Sequence, residues 1–217
     1  MDQYQTVLEW APEALRRAER GGWTYNIARL RLAWCQALFR GRSEGVPVVE
    51  DVEDQFAKCL KEARRAGVQQ LIVVVLLAKS AFERSCGRLD EARLTFQEVM
   101  DIVRLSEMRL YIADCYLESA RILLAESERS SSADDPRLIK ARHHLDIVRP
   151  MLEEMDYGRR KPEYHLAAAR LAILEHHDEE ARQQLALSRP WILPLEHCGR
   201  GFVCHKKEFD DLDARAS

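Results

Sequence analysis

Apolar residues recur at intervals of three and four along most of the chain, with charged and polar residues between them. Because a helix turns once in 3.6 residues, this spacing gathers the apolar side chains on one face and predicts amphipathic helices. Glycines follow several of these patterns and indicate helix ends: Gly21, Gly22, Gly41, Gly67, Gly87 and Gly158. The predicted helices cover residues 3–20, 23–40, 50–66, 68–86, 89–105, 108–126, 136–155, 162–175, 178–192 and 205–215.

The run of apolar residues at 71–77 has no polar face. Periodicity alone does not separate a buried strand from a buried helix in so short a run. Its neighbours on both sides have helical patterns, and a helix that is apolar all round is expected between two packed layers. We therefore predict a helix here, with a buried strand as the alternative.

A short unit of sequence recurs along the chain. Gly87 is followed five residues later by a small residue, Ala92, and four residues after that by a bulky one, Phe96. The same two positions recur as Val52 and Phe56, Ala141 and Leu145, and Ala181 and Leu185. The first members lie at 52, 92, 141 and 181, so their separations are 40, 49 and 40 residues. A fixed period of this length is typical of stacked helix pairs.

The longer interval is explained by a polar stretch at residues 127–136. It ends in Asp135 and Pro136, which suit a helix start because the acid caps the first turn and proline fits the first helical position. We predict a loop insertion at 127–136, which lengthens one repeat without disturbing the packing. Residues 41–49 contain a second predicted loop insertion.

The recurring residues have a physical role in helix packing. A small side chain lets two helix backbones approach closely, and the bulky residue one turn later fills the space between neighbouring pairs. One helix pair does not bury its apolar face alone, so several pairs stack. The sequence predicts an all-α fold, a right-handed superhelix of antiparallel helix pairs. It forms a single domain over residues 1–217, with a C-terminal capping helix near 205–215.

The spacing of Gly87, Leu89, Ala92 and Phe96 resembles the second half of a tetratricopeptide motif. The longer period is similar to the bacterial variety in the helical arms of MalT-like regulators and of nucleotide-switching signalling ATPases. Residues 15–30 look like the opening of such an arm, and residues 155–171 look like a link between its late repeats. The chain departs from the motif where Ser127 and His176 replace the usual turn glycine and Val52 replaces the small residue.

The resemblance implies a scaffold or adaptor in a signalling or regulatory assembly, which holds a partner protein or peptide in its concave groove. A second interpretation is a regulatory arm that senses a small molecule and controls a separate output domain. No nucleotide-binding loop of the G-x-x-x-x-G-K-[ST] form occurs, and no hydrolase-type nucleophile motif is present. We therefore expect no enzyme activity and no cofactor.

The first helix of each pair lines the groove in a tetratricopeptide stack. Aligning two late pairs matches acid, leucine and arginine positions at a separation of 49 residues: Asp114 with Glu163, Leu117 with Leu166, and Arg121 with Arg170. Acid and arginine are seven residues apart, so both lie on one helix face. This pattern predicts a face that grips a peptide carboxylate or a charged helix. The alternative is that these charges are solvated or pair with each other.

Metal ligand types cluster near the C-terminus as His197, Cys198, Cys204 and His205. Two cysteines and two histidines match zinc in type, but their spacing is not that of a C-x-x-C knuckle, and adjacent ligands do not readily bind one ion. We favour a turn before the last helix, with metal binding as the alternative.

Formal charge is nearly balanced, with 33 basic against 36 acidic residues. This balance gives no long-range attraction to nucleic acid or to an anionic membrane, so neither is expected as a partner. The N-terminus has no signal-peptide pattern, and four of the six cysteines fall within apolar helical patterns. We predict a reduced, cytoplasmic protein.

The four tryptophans lie toward the two ends of the chain. We assign Trp23 and Trp34 to packing between helices. Trp10 and Trp191 are candidates for exposed end faces, where aromatic side chains anchor partners. An apolar end face on a helical stack also favours homo-oligomers.

Overall fold

A computed structural model describes residues 3–43, 45, 51–105, 108–130, 135–192 and 205–216. Over these ranges the chain forms ten α-helices, one short 3-10 helix and no strand. The α-helices are α1 (Gln3–Gly21), α2 (Thr24–Ser43), α3 (Val52–Ala66), α4 (Gln69–Ser85), α5 (Leu89–Arg104), α6 (Arg109–Ser130), α7 (Pro136–Glu154), α8 (Lys161–Leu174), α9 (Asp178–Ile192) and α10 (Lys206–Ala216). The 3-10 helix, Gly158–Arg160, precedes α8.

The helices fall into two compact units, Met1–Ser106 with α1 to α5 and Glu107–Ser217 with α6 to α10. In the first unit, α2 packs against α1 and α3, and α4 packs against α3 and α5. In the second unit, the most extensive contacts join α6 to α7 and α8 to α9, and α10 packs against α8 and α9. The predicted all-helical fold with adjacent helices packed in pairs is confirmed.

The apolar run at 71–77 lies within α4, as predicted. Val73 and Val75 are fully buried, although helical geometry points them to different sides of the helix. Neighbouring helices cover several faces of α4, since it contacts α2, α3 and α5. The absence of a polar face therefore reflects its central position in the first unit.

The recurring small positions occupy similar places in four helices. Val52, Ala92, Ala141 and Ala181 lie in the first two turns of α3, α5, α7 and α9, and none is more than 2% exposed. At one of these crossings the Ser80 hydroxyl on α4 donates to the carbonyl oxygen of Ala92 at 3.1 Å. A larger side chain at such a position would force the two helices apart.

Two helices extend further than the sequence predicted. Gly41, expected to end α2, is a buried residue inside that helix, which continues to Ser43. Ser127, expected in a loop, is helical and 3% exposed, and its side chain hydrogen-bonds to the buried Asp135. The remaining residues of these stretches, 44, 46–50 and 131–134, lie outside the described residues.

Asp135 caps α7 as predicted. Its Oδ1 accepts a hydrogen bond from the backbone nitrogen of Arg137 at 2.9 Å, and Pro136 is the first helical residue. The capped end fixes where the chain re-enters the second unit after α6.

Gly87 and His176 end α4 and α8 with the same left-handed backbone, at φ 76° and 59°. The backbone nitrogen of each bonds to the carbonyl three residues earlier, at 2.9 and 3.1 Å. The following residue bonds to the carbonyl five positions earlier, at 2.9 Å for Arg88 and 2.8 Å for His177. Both ends are therefore glycine-type caps, and the histidine carries a β-carbon that this conformation disfavours.

We predict that His176→Gly stabilises the protein by about 0.5–1 kcal/mol, because glycine adopts this backbone without steric cost. The His176 side chain is exposed, so its removal loses little packing. Gly87→Ala should destabilise by about 1 kcal/mol for the converse reason. Urea denaturation of both variants measures the two changes, and a His176→Gly variant less stable than the parent contradicts the assignment.

Candidate functional site

Helices α6 and α8 contact each other in the second unit and bring the two predicted triplets together. Leu117 and Leu166 are 2% and 1% exposed, so they pack in the core and are inaccessible to a partner in this structure. The four charged residues lie around them at the less buried edge of the two helices: Asp114, Arg121, Glu163 and Arg170. We call this edge the charged face.

Arg160 joins the two acids of the charged face. It ends the 3-10 helix before α8, and its guanidinium lies 2.7 Å from Asp114 and 2.8 Å from Glu163. The Tyr157 hydroxyl also donates to Asp114 Oδ2, at 3.4 Å. One local hint of this role was visible in the sequence, because Arg160 precedes Glu163 by three residues. Its bond to Asp114, 46 positions earlier, had no sequence signal.

The two arginines of the charged face hold an acid from the last helix. Arg121 Nη2 donates to Glu208 on α10 at 3.0 Å, and Arg170 Nη1 lies 4.0 Å from the other oxygen of the same carboxylate. A second acid, Glu128 on α6, bridges Arg170 at 3.0 Å and Arg215 on α10 at 2.9 Å. Ion pairs therefore join α10 to α6 and α8 at two places: the acid Glu208 pairs with the two arginines, and the base Arg215 pairs with Glu128.

Glu208 and Arg215 are seven residues apart, the spacing that places them on one side of α10. Beside them the apolar residues Phe209, Leu212 and Ala216 are buried against the core of α8 and α9. α10 therefore binds as an amphipathic helix, with an apolar stripe against the core and an acid and a base toward the charged face.

Glu163 is the most strongly perturbed acid of the charged face. Burial raises its pKa, but Arg160, a hydrogen bond from His205 and the charge of Arg121 more than offset that effect. The net result holds the pKa of Glu163 well below its usual range. Glu163 is thus ionised at neutral pH, and its charge stabilises the arginines around it.

Only one of the four candidate metal ligands lies among the residues that the structure describes. His197, Cys198 and Cys204 lie outside the described residues. His205 is described, and its Nε2 lies 3.4 Å from Glu163 Oε1. Among the residues that the structure does describe, no group of three or more histidine, cysteine or acidic side chains is placed to hold a metal ion. The favoured interpretation of residues 197–205, a turn before the last helix, stays a prediction, and metal binding there stays its alternative.

The exposure of the four tryptophans agrees with the sequence assignment at three positions and contradicts it at one. Trp10 and Trp191, the predicted end-face residues, are 42% and 37% exposed. Trp34 is buried, as expected of a packing residue, but Trp23 is 62% exposed, so its assignment to packing was wrong. Trp23 lies in the turn between α1 and α2, where helical periodicity does not apply.

Comparison with known proteins gives no relative for this chain: no protein-family model, no curated protein and no solved structure matches it. Within the described helices, none has both the length and the apolar character required to cross a lipid bilayer.

We predict that Glu163→Gln destabilises the protein by about 2 kcal/mol at pH 7, because it removes the buried carboxylate that faces both Arg160 and Arg121 and leaves each of them a single acid, Asp114 and Glu208. The pKa of Glu163 is depressed by folding, so its ionised form contributes stability above the unfolded value of about 4.3, and this contribution declines at lower pH. The stability difference between parent and variant should therefore shrink below about pH 4. Urea denaturation from pH 7 to pH 3 measures it.

Glu154→Gln is the matched control. Glu154 pairs with Arg109, and both side chains are more than 60% exposed. An exposed pair of this kind contributes less than about 1 kcal/mol. A Glu163→Gln effect that is as small as the control, or that stays constant with pH, contradicts the role assigned to Glu163.

Proposed function

We propose that this chain is a protein-binding scaffold whose charged face holds an amphipathic helix of a partner protein. One observation carries the proposal: the charged face already holds such a helix, because Arg121 and Arg170 share the carboxylate of Glu208 on α10. Two arginines that converge on one acid recognise a carboxylate better than a single point charge does.

The complementary charges define which helix fits. The face offers two arginines for an acid and Glu128 for a base seven residues further along the same helix. An apolar stripe between them is needed to fill the space that Phe209 and Leu212 occupy. Hydrogen bonds to charged groups contribute about 1.5–3 kcal/mol each. A helix that has both the acid and the base therefore binds the charged face more tightly than a helix that lacks them.

α10 competes with any such partner. It belongs to the same chain, so its effective concentration at the charged face is high. A partner helix with the same pattern binds only where it contributes more than α10 or where α10 is weakened. The charged face is thus a recognition site with a resident ligand.

The architecture proposed for the scaffold is a tetratricopeptide-like solenoid with a period of about 40 residues. It is supported by the burial of positions 52, 92, 141 and 181 in similar places on α3, α5, α7 and α9. The glycine-type caps shared by Gly87 and His176 support it too, since each stands five residues before one of these positions. On this proposal the chain acts in a cytoplasmic signalling or regulatory assembly and has no catalytic role.

The test uses the full-length chain and a fluorescent peptide with the sequence of residues 205–216. The variant Glu208→Ala with Arg215→Ala weakens the resident helix and leaves the charged face intact. We predict that it binds the peptide at least about tenfold tighter than the parent chain does, because the competitor has lost two charge-assisted contacts. Adding Arg121→Glu and Arg170→Glu should abolish that binding. Fluorescence anisotropy measures the affinities.

Two controls accompany this experiment. Lys206→Ala with Asp210→Ala removes two exposed charges on the side of the same helix opposite Glu208, and should leave peptide affinity at the parent value. A peptide with the acid and base of positions 208 and 215 exchanged should not bind. Circular dichroism establishes that each variant remains helical. If the weakened variant is folded and binds the peptide no better than the parent, α10 is a structural cap and the proposal fails.

A further inference from the structure

The first unit has an open aromatic groove between α1 and α2, remote in sequence from the charged face. Its volume is about 630 Å³. Trp10 on α1 and Trp23 before α2 are exposed at 42% and 62%, both large fractions for tryptophan. The full lining consists of Trp10, Glu13, Ala14, Arg17, Ala18, Trp23, Asn26, Arg29 and Leu30. We call this surface the aromatic groove.

The depth of the groove comes from a contrast in side-chain size. Ala14 and Ala18 lie one helical turn apart on α1 and leave the surface low between the two tryptophans. Trp23 is supported from below by Gly21, where an added β-carbon would lie 3.1 Å from the indole ring. The tryptophan thus stands against a backbone without a side chain, and its other surface remains free for a ligand.

The sides of the groove carry an excess of arginine. Glu13 on α1 pairs with Arg16 at 2.8 Å and with Arg17 at 3.0 Å, so one acid faces two arginines that are themselves 63% and 75% exposed. Arg20 follows Arg17 by three residues on the same helix. On the opposite side, Arg29 lies over the ring of Tyr25 at 5.8 Å. Two arginines and one acid therefore line the aromatic groove, a local excess of positive charge in a chain whose net charge is -3.

We propose that the aromatic groove binds an acidic amphipathic helix of a partner protein. Its apolar side chains lie between Trp10 and Trp23, and its carboxylates pair with Arg17 and Arg29. The alanine floor admits a helix because small side chains permit close backbone approach. Aromatic and arginine side chains together are the residues that most often dominate binding at protein interfaces.

The groove favours a protein over a single-stranded nucleic acid because the chain has a net charge of -3 and gives no long-range attraction to a polyanion. Ala14, Ala18 and Leu30 also give the lining an apolar part, which suits the apolar face of a helix. This site is independent of the charged face, which lies on α6 and α8.

The experiment measures binding of a synthetic helical peptide to the full-length chain by isothermal titration calorimetry. The peptide has leucines at i, i+3, i+4 and i+7 and glutamates on both flanks, and its comparison peptide has lysines in place of the glutamates. We expect the acidic peptide to bind at least about tenfold tighter than the basic one. Trp23→Ala should weaken binding by at least about tenfold. Arg17→Glu with Arg29→Glu should reverse the preference between the peptides.

Arg65→Glu with Arg104→Glu is the matched control, since it makes the same charge change at exposed positions of the first unit outside the groove. It should leave the preference for the acidic peptide intact. Circular dichroism verifies the fold of each variant. Equal binding of both peptides, or no binding of either, overturns the proposal. If the chain dimerises in sedimentation velocity and Trp23→Ala abolishes the dimer, the groove binds a second copy of the chain. If the chain binds an oligonucleotide and the arginine variant does not, the groove binds nucleic acid. Either result also overturns the proposal.

Discussion

Close approach of consecutive helices is the constraint on which the rest of this structure depends. At α4 and α5 the approach brings the Ser80 hydroxyl to the backbone carbonyl of Ala92 at 3.1 Å, and at α2 and α3 it brings the Cys59 sulfur to the carbonyl of Ala28 at 3.4 Å. Such distances require small side chains at the crossing points. Once the helices are that close, their apolar faces exclude water and their edges fix which charged residues meet.

The charged face shows what such packing demands of buried charges. Burying an arginine or a carboxylate without a partner costs several kcal/mol, so each member of the group needs an opposite charge. Arg160 provides one for Asp114 and Glu163, and α10 provides Glu208 and Arg215 for the outer side. The same contacts that satisfy these charges also describe a ligand: a helix with an apolar stripe, an acid and a base.

The two surfaces differ in what occupies them. The charged face is filled by α10, whereas the aromatic groove leaves Trp10 and Trp23 open to solvent. A partner helix must displace α10 to bind the charged face, whereas a partner can bind the aromatic groove without displacing any part of the chain. If both proposals hold, the chain connects two partners by two recognition modes, one governed by competition with its own C-terminal helix and one by aromatic anchors flanked by arginines.

Within the described residues, the sequence alone determined the ten helices except for the ends of α2 and α6, together with the helical state of α4, the Asp135 cap and the burial of the recurring small positions. These features follow from local periodicity and from side-chain size, and both can be read from residues that are close together in the sequence. It also singled out Arg121 and Arg170 as a pair suited to a carboxylate. Only the tertiary structure decided that this carboxylate is Glu208, 87 positions after Arg121, and that Arg160 joins the two acids. The tertiary structure also decided that Trp23 is exposed. The partner of a buried charge and the accessibility of a residue in a turn both depend on how helices that are distant in the sequence pack together.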